Sequence, residues 1–317
     1  MKNRHIVLAG GSGFVGQQMA QQWAADNKVV VLTRNIKNAA DNSFGNKKHL
    51  ANVTEVQWDG KTTGDWVDAL EGCDLLINLT GRSVNCRYNE KNKAEILNSR
   101  VDAVNVLGEA ANMLQRPPEL FINIASATIY RHAEDRPQDE ATGEIGTGFS
   151  IDVCKAWEAA LNDIPMPHTR KVNLRMAIVL GKGGVLTPYS FLAKMGVGGK
   201  HGNGRQMFSW IHIADVLSMA EWMLKNKDAQ GTYNASAPNP VTNSAFMQML
   251  RNIYKMPIGI PAPAWLLEIA AVLQGTETEL LLKSRWVIPA RLQQEGYVFE
   301  YPELKPALQN LLTKVGD

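Results

Sequence analysis

Ala9-Gly10-Gly11-Ser12-Gly13-Phe14-Val15-Gly16 decides the fold. It follows a short apolar run, His5 to Ala9, with the character of a buried strand. It opens a segment whose apolar residues, Val15, Met19, Ala20, Trp23 and Ala24, have helical spacing, predicting a helix over Phe14 to Ala25. Gly10, Gly13 and Gly16 thus form G-x-x-G-x-x-G between strand and helix. The tight turn needs backbone freedom, and a pyrophosphate must approach the backbone within hydrogen-bonding distance. Amides at the helix N-terminus then face the anion. A glycine triplet alone is a weak signal, but its strand–turn–helix context predicts a dinucleotide site at Gly10, Gly13, Phe14, Val15 and Gly16.

Outward from this turn, strand and helix patterns alternate. Lys28 to Thr33 contains VVVL, which suits a strand buried on both faces. Asn35 to Asn52 reads as an irregular polar loop, Glu55 to Trp58 as a weak strand and Asp74 to Leu79 as a strong one. Lys91 to Leu114 carries apolar residues at steps of three and four and is stopped by Pro117-Pro118. Leu120 to Ala125 (strand), Phe149 to Leu161 (helix) and Lys171 to Leu180 (strand) complete the pattern. It predicts an α/β fold, a doubly wound parallel Rossmann sheet over residues 1–180. From Gly181 the elements shorten and Gly and Pro become frequent. Residues 181–317 read as a smaller C-terminal α/β domain on the substrate side, some of whose segments return to the sheet. Short helices are expected at Ile213 to Leu224, Asn243 to Tyr254, Ala264 to Leu273 and Pro302 to Lys314. Five glycines between Gly196 and Gly204, with Lys200, His201 and Arg205, suit either a mobile lid closing on an anionic substrate or a solvated surface loop.

Composition narrows the function classes. The 317 residues are 45% hydrophobic and 20% charged, ordinary for a globular chain. Lys plus Arg number 33 against 31 acidic residues, a net charge of +2, which gives no sign of nucleic-acid or membrane-surface binding. Three cysteines without a C-x-x-C pair argue against a disulfide framework and a zinc site, and no histidine pair has helical metal spacing, so no metal is expected. No apolar run reaches membrane-spanning length, and a reducing cytoplasm is the expected location. A phosphate-binding P-loop fails at Gly199-Lys200, which lacks the leading glycine and the trailing hydroxyl residue.

The second strand ends in Leu32-Thr33-Arg34. NAD-binding folds commonly place an acidic residue there for the ribose 2′-hydroxyl. A hydroxyl and a guanidinium suit a 2′-phosphate instead, so NADP(H) is the expected cofactor, held at Thr33 and Arg34.

These residues resemble the extended short-chain dehydrogenases/reductases, on the sugar-nucleotide epimerase side of that superfamily. Ile124 to Tyr130 (IASATIY) is similar to their S-S-x-A-x-V-Y stretch, with Ser126 at the catalytic serine, and Trp210 to Val216 (WIHIADV) resembles their W-I-H-V-x-D-V segment. Those enzymes use Tyr-x-x-x-Lys, whereas this chain has Ile151-Asp152-Val153-Cys154-Lys155. The lysine position is kept, but isoleucine cannot transfer a proton. The chain is therefore most similar to an atypical epimerase-family subgroup. Its marks here are Glu95 to Arg100, Asp152 to Glu158, Gly204 to His212, Pro261 to Trp265 and Val287 to Arg291. This resemblance implies that the dinucleotide also touches Leu79, Thr80, Glu95, Arg100, Lys155 and Val179, and that Ser126 and Lys155 serve catalysis. It implies an NADP(H)-dependent oxidoreductase or epimerase-like enzyme of a small, anionic or sugar-nucleotide-like substrate. The rival is a catalytically silent NADP(H) sensor or scaffold linked to cell division, as some plastid relatives suggest.

Other candidates stay open at this point. Glu95 and Arg100 lie off the apolar stripe of their helix and, without the resemblance, read as a solvated face. Arg175, inside an apolar strand, needs an acceptor, either a structural carboxylate or a substrate anion. Arg205 is a second candidate for a substrate anion. His212 and Asp215 form either a helix cap or a catalytic pair, and Tyr130 is a substitute for the missing acid only outside its usual role. Trp157 and Met113 read as core.

Overall fold

The computed structural model describes residues 1–36, 52–265, 268 and 282–313. The chain opens with strand β1 (His5–Ala9), helix α1 (Phe14–Trp23), β2 (Lys28–Thr33) and β3 (Val53–Gln57). It then crosses to β4 (Leu75–Asn78), α2 (Glu90–Met113), β5 (Leu120–Ser126), α3 (Phe149–Asp163) and β6 (Arg170–Met176). Next come β7 (Ile178–Leu180), α4 (Leu186–Lys194), β8 (Met207–Phe208), β9 (Trp210–His212), α5 (Ile213–Lys225) and β10 (Gly231–Ala235). The last described elements are β11 (Val241–Thr242), α6 (Asn243–Ile253), α7 (Ala290–Gln294) and α8 (Leu304–Leu312).

Seven parallel strands form the central sheet in the order β10-β6-β5-β4-β1-β2-β3. The winding direction reverses between β1 and β4, so a crevice opens at their carboxyl ends. The apolar strands are buried on both faces because each face carries a helical layer. Met19 and Trp23 of α1 and Val216, Met219 and Met223 of α5 cover one face; Val104 and Leu107 of α2 and Trp157 and Leu161 of α3 cover the other. A third core, around Tyr189, Phe208, Phe246 and Leu308, belongs to the C-terminal part. The helix α2 starts where Asn89 accepts the Asn92 amide at 2.9 Å, a side-chain cap for an otherwise unpaired donor.

The expected long strand Lys171 to Leu180 is broken at Ala177. The Ala177 amide still bonds Ala235 of β10, at 3.0 Å, whereas Ile178 turns to Ser209 and β7 pairs with β9. After the 180/181 boundary, β10 returns to the main sheet beside β6. Met113, expected in the core, is 63% exposed, because it is the last residue of α2 and lies beyond the sheet. Most of the Ala264 to Leu273 expectation, and most of the Asn35 to Asn52 loop, lie outside the described residues. Among the described residues, no helix is long and apolar enough to cross a membrane.

The Gly196 to Arg205 segment is zipped to residues 260–262 rather than poised as a lid. Gly199 and Gly202 donate to Ile260 and Ala262 at 3.1 and 2.8 Å, and Ile260 and Ala262 donate back to Gly196 and Lys200 at 2.9 and 3.0 Å. A Cβ on Gly199 would sit 2.4 Å from the Ile260 carbonyl carbon. These glycines thus permit close backbone packing. His201 is buried and stacks on Tyr189 with centroids 5.7 Å apart. Arg205 is left exposed on the rim of this turn.

Candidate functional site

A cleft of about 500 Å³ lies over the carboxyl ends of β1, β2 and β4. Its floor is the glycine turn, where each glycine has its own reason. Gly10 has φ +74°, and a Cβ there would lie 3.0 Å from the Thr80 side chain. Gly16 packs α1 onto the turn, since its Cβ would meet the Gly11 Cα at 2.4 Å. Gly13 differs: it is exposed, has an ordinary extended backbone, and its Cβ would meet nothing nearer than the Gly10 carbonyl at 3.7 Å. No protein contact demands glycine at 13, and its open side faces the cleft. Gly13 is also the N-cap of α1, and no side chain caps the free amides there. Phe14 turns away from the cleft, its ring lying against Gly181 and Gly184, where Cβ atoms would meet it at 2.6 and 3.3 Å. Val15 is half-buried against the core.

Thr33 and Arg34 line the far end of the cleft. Thr33 is buried with its hydroxyl toward the Asn35 carbonyl, at 3.4 Å, and Arg34 is exposed. Opposite the glycines, Leu79 donates its amide to Ala9 at 2.8 Å, and Thr80 is fixed by Asn78, whose Oδ1 accepts the Thr80 hydroxyl at 2.6 Å. Asn78 itself begins a buried ladder: it donates to Asn123, which donates to Asn173, each at 3.0 Å, across neighbouring strands in register. Three buried amides satisfy one another and hold the Thr80 wall at a fixed height.

Glu95 and Arg100 do not line this cleft but hold its wall in place. Glu95 pairs with Arg82, a cleft-lining residue that also donates to Asn92 at 2.8 Å. Arg100 is half-buried beneath the same loop. It donates to the Arg82 and Ile96 carbonyls at 3.1 and 2.8 Å and stacks over Trp157 at 5.0 Å.

The catalytic candidates do not line this cleft; Ser126 lies at the tip of β5. Ser126 is half-buried, and its Oγ accepts the Thr128 amide at 3.2 Å. The buried Cys154 thiol shares a hydrogen bond with Ser126, and burial pushes that thiol up to about 11. Ile151 is buried among Ala127, Ile129, Tyr130 and Val287. One turn further along α3, Lys155 is exposed. Val179 is half-buried in β7 opposite Ile211.

Arg175 takes the structural carboxylate of its two alternatives. Its Nε and Nη2 bond Glu158 at 2.7 and 2.8 Å, and Nη1 donates to the Tyr130 hydroxyl at 2.8 Å. The Tyr130 hydroxyl donates to Asn234 at 3.0 Å, and burial raises its pKa, so it is held within the scaffold rather than placed as an acid. His212 caps α5 by accepting the Ala214 amide at 3.1 Å. Asp215, one turn on, instead accepts the amides of Glu300 and Tyr301 at 2.7 and 3.0 Å, latching the C-terminal segment to the helix.

Two cations absent from the sequence-derived site reach this end from the C-terminal segment. Lys283 donates to the Thr128 carbonyl at 3.0 Å, and Arg285 donates to the Thr128 hydroxyl at 3.4 Å. Lys283 and Ile151 border a second open cavity of about 600 Å³. No local pattern around LLKSRW announces these roles. The juxtaposition arises because residues 284–288 bond back to residues 132–138 and 207–209. Among the described residues, no group of three or more His, Cys, Asp or Glu side chains could hold a metal.

The family model of the NAD dependent epimerase/dehydratase family matches residues 6–236, and a domain of unknown function (DUF1731) matches residues 262–311. Epimerase family protein SDR39U1 of Mus musculus is 29% identical, over 97% of this chain and 99% of its own. Epimerase family protein YfhF of Bacillus subtilis is likewise 29% identical, over 97% and 98%. The crystal structure of human epimerase family protein SDR39U1 (isoform2) with NADPH superposes with a TM-score of 0.83 at 27% identity, covering 96% of this chain and 98% of that one. With a parallel sheet that reverses at β1, a glycine turn in the crevice and a family match across the whole of that sheet, this chain belongs to the NAD dependent epimerase/dehydratase family.

Proposed function

We propose that the protein is an NADP(H)-dependent oxidoreductase or epimerase-like enzyme acting on a small anionic molecule. The observation that carries the cofactor half is Gly13, a glycine that no protein contact requires, with its open side and the uncapped amides of α1 facing the cleft. An anion against that backbone gives the missing reason. The relative with NADPH supports the phosphorylated dinucleotide. When bound, NADP(H) supplies hydride transfer at its nicotinamide.

The chain's own residues do the rest. The α1 amides hold the pyrophosphate. Thr33 and Arg34 hold the 2′-phosphate, and Leu79 and Thr80 form the opposite wall. Glu95 and Arg100 act by fixing Arg82 and the 81–82 backbone. Ser126, its Oγ accepting one amide and its hydroxyl shared with the Cys154 thiol, turns its proton from that thiol to a substrate oxygen. Lys155, exposed on α3, is the residue that the family resemblance assigns to the nicotinamide ribose. Lys283 and Arg285 supply positive charge for an anionic substrate, a role that the geometry takes away from Arg175. Arg205, on an exposed rim, stays a weaker substrate candidate.

One observation favours a silent cofactor-binding protein: the tyrosine position is an isoleucine packed in an apolar cluster. The two readings share the cofactor and differ in turnover. Titration calorimetry tests the shared part. NADPH should bind much more tightly than NADH, and Arg34→Asp should erase or reverse that preference; equal affinities in the native protein would refute it. Slow oxidation of NADPH upon addition of a panel of anionic carbonyl compounds and sugar nucleotides, lost in Ser126→Ala, would then separate enzyme from sensor.

A further inference from the structure

The end of the cleft beyond Arg34 is built by a second strand end. Sheet register sets Gln57 of β3 beside Thr33 of β2, and the Trp58 amide donates to the Thr33 carbonyl at 3.1 Å. The chain leaving β3, Trp58-Asp59-Gly60-Lys61-Thr62, therefore starts beside the chain leaving β2, and Arg34 and Lys61 line the same cleft.

This turn is rigid. Asp59 Oδ1 accepts the amides of Lys61 and Thr62 at 2.8 and 2.9 Å, and its Oδ2 accepts the Thr62 hydroxyl at 2.7 Å. Those bonds, led by the one from the Thr62 backbone, hold the Asp59 carboxyl below its ordinary range. Gly60 has φ +73°, a backbone that favours glycine, and Trp66 donates to the Thr62 carbonyl at 3.0 Å. Trp58 and Trp66 are both buried and meet edge-to-face at 5.3 Å. The backbone under Lys61 is thus clamped from both sides before any ligand arrives.

Charges at the cleft sort themselves. Arg82 is taken by Glu95, Asp59 is committed to its turn, and Glu55 has an interaction of its own. Arg34 and Lys61 have no side-chain hydrogen bond or ion pair among the described residues. A cleft with two open cations at one end suits a dianion there.

We infer that Lys61 is the second cation of the 2′-phosphate site and, with Arg34, sets the preference for NADP(H) over NAD(H). This rests on the cofactor reading above. Arg34 offers a planar fork and Lys61 a point charge, so the two can grip different oxygens of one phosphate. Lys61 acts on cofactor choice alone and does not touch the reacting end.

The experiment is titration of native protein, Lys61→Ala, Lys61→Arg and Arg34→Ala/Lys61→Ala with NADPH and NADH. Lys61→Ala should weaken NADPH by roughly tenfold, the scale of one charge-assisted contact, and leave NADH unchanged, which also shows that the variant is folded. Lys61→Arg should keep most of the preference, and the double variant should bind the two cofactors alike. Raising salt should weaken NADPH less steeply in Lys61→Ala than in native protein. Native protein that binds NADPH and NADH equally would overturn the cofactor reading itself. Native protein that prefers NADPH, with Lys61→Ala unchanged or weakened equally for both cofactors, would overturn the role of Lys61 alone.

Discussion

The two ends of this site treat their polar groups in opposite ways. At the β1–β2–β3 end, a glycine has an open side, a helix N-terminus has no side-chain cap, and Arg34 and Lys61 stand without partners among the described residues. At the β5–β6 end, Arg175 is gripped by Glu158 and Tyr130, Tyr130 by Asn234, and Ile151 is an apolar plug. Buried polar groups are normally satisfied, so completed networks mark scaffold, and groups left open at a crevice mark where a ligand completes them. The difference teaches that the β1–β2–β3 end leaves groups open for a ligand to complete, whereas the β5–β6 end is closed on itself.

The sharpest way to break the comparison is to ask whether Arg175 holds the fold. Arg175→Met strands the Glu158 carboxylate in the interior and should cost about 3–5 kcal/mol in urea unfolding, much of it recovered by Glu158→Leu in the same chain. An Arg175→Met protein of native stability would return Arg175 to the substrate. Next in size is the split between two glycines. Gly16→Ala forces a Cβ to 2.4 Å from the Gly11 Cα and should lose about 1–3 kcal/mol. Gly13→Ala should keep native stability and lose dinucleotide affinity; a parallel loss of stability would make Gly13 structural too.

A smaller effect comes from acid. Burial lowers His212 to about 4, against an unfolded value near 6.5. Below the unfolded value, the unfolded chain binds a proton that the folded one refuses, so stability falls from about pH 6.5 toward pH 4 and levels off below it. The drop should be about 2 kcal/mol for this residue, with His5 and His201, also lowered by burial, adding to it. His212→Asn keeps an acceptor for the Ala214 amide and should flatten this limb in part, read as chemical-denaturation midpoints across pH. An unchanged limb would assign the acid sensitivity to other groups.

Much of the cleft's glycine end is legible because it is local. The glycine turn lies within eight consecutive residues, and Arg34 follows directly on a VVVL strand. What stayed hidden depends on register. Lys61 reaches the cleft only because Gln57 pairs with Thr33. The asparagine ladder needs Asn78, Asn123 and Asn173 aligned across three strands, although one Asn in each of the stretches DLLINL, LFINIA and KVNLRM was a signal on the page. The strand β10 carries Thr232 and Asn234, polar residues unusual for a sheet interior. Asn234 is accommodated there because its amide donates to Glu140 and its side chain to the Ile288 carbonyl, at 2.8 and 3.0 Å. The Gly196 to Gly204 run works in the other direction: glycine density suits backbone entropy, whereas here it serves the close approach of residues 260–262, a contact distant in sequence.

Hydrogen exchange with and without NADPH tests the central contrast most directly. The account predicts slowed exchange at residues 10–17, 33–34, 58–62 and 79–82, the segments around the open end of the cleft, with little change at Tyr130, Glu158 and Arg175. Protection centred on residues 130–158 or 196–205, with the glycine turn unaffected, would contradict it.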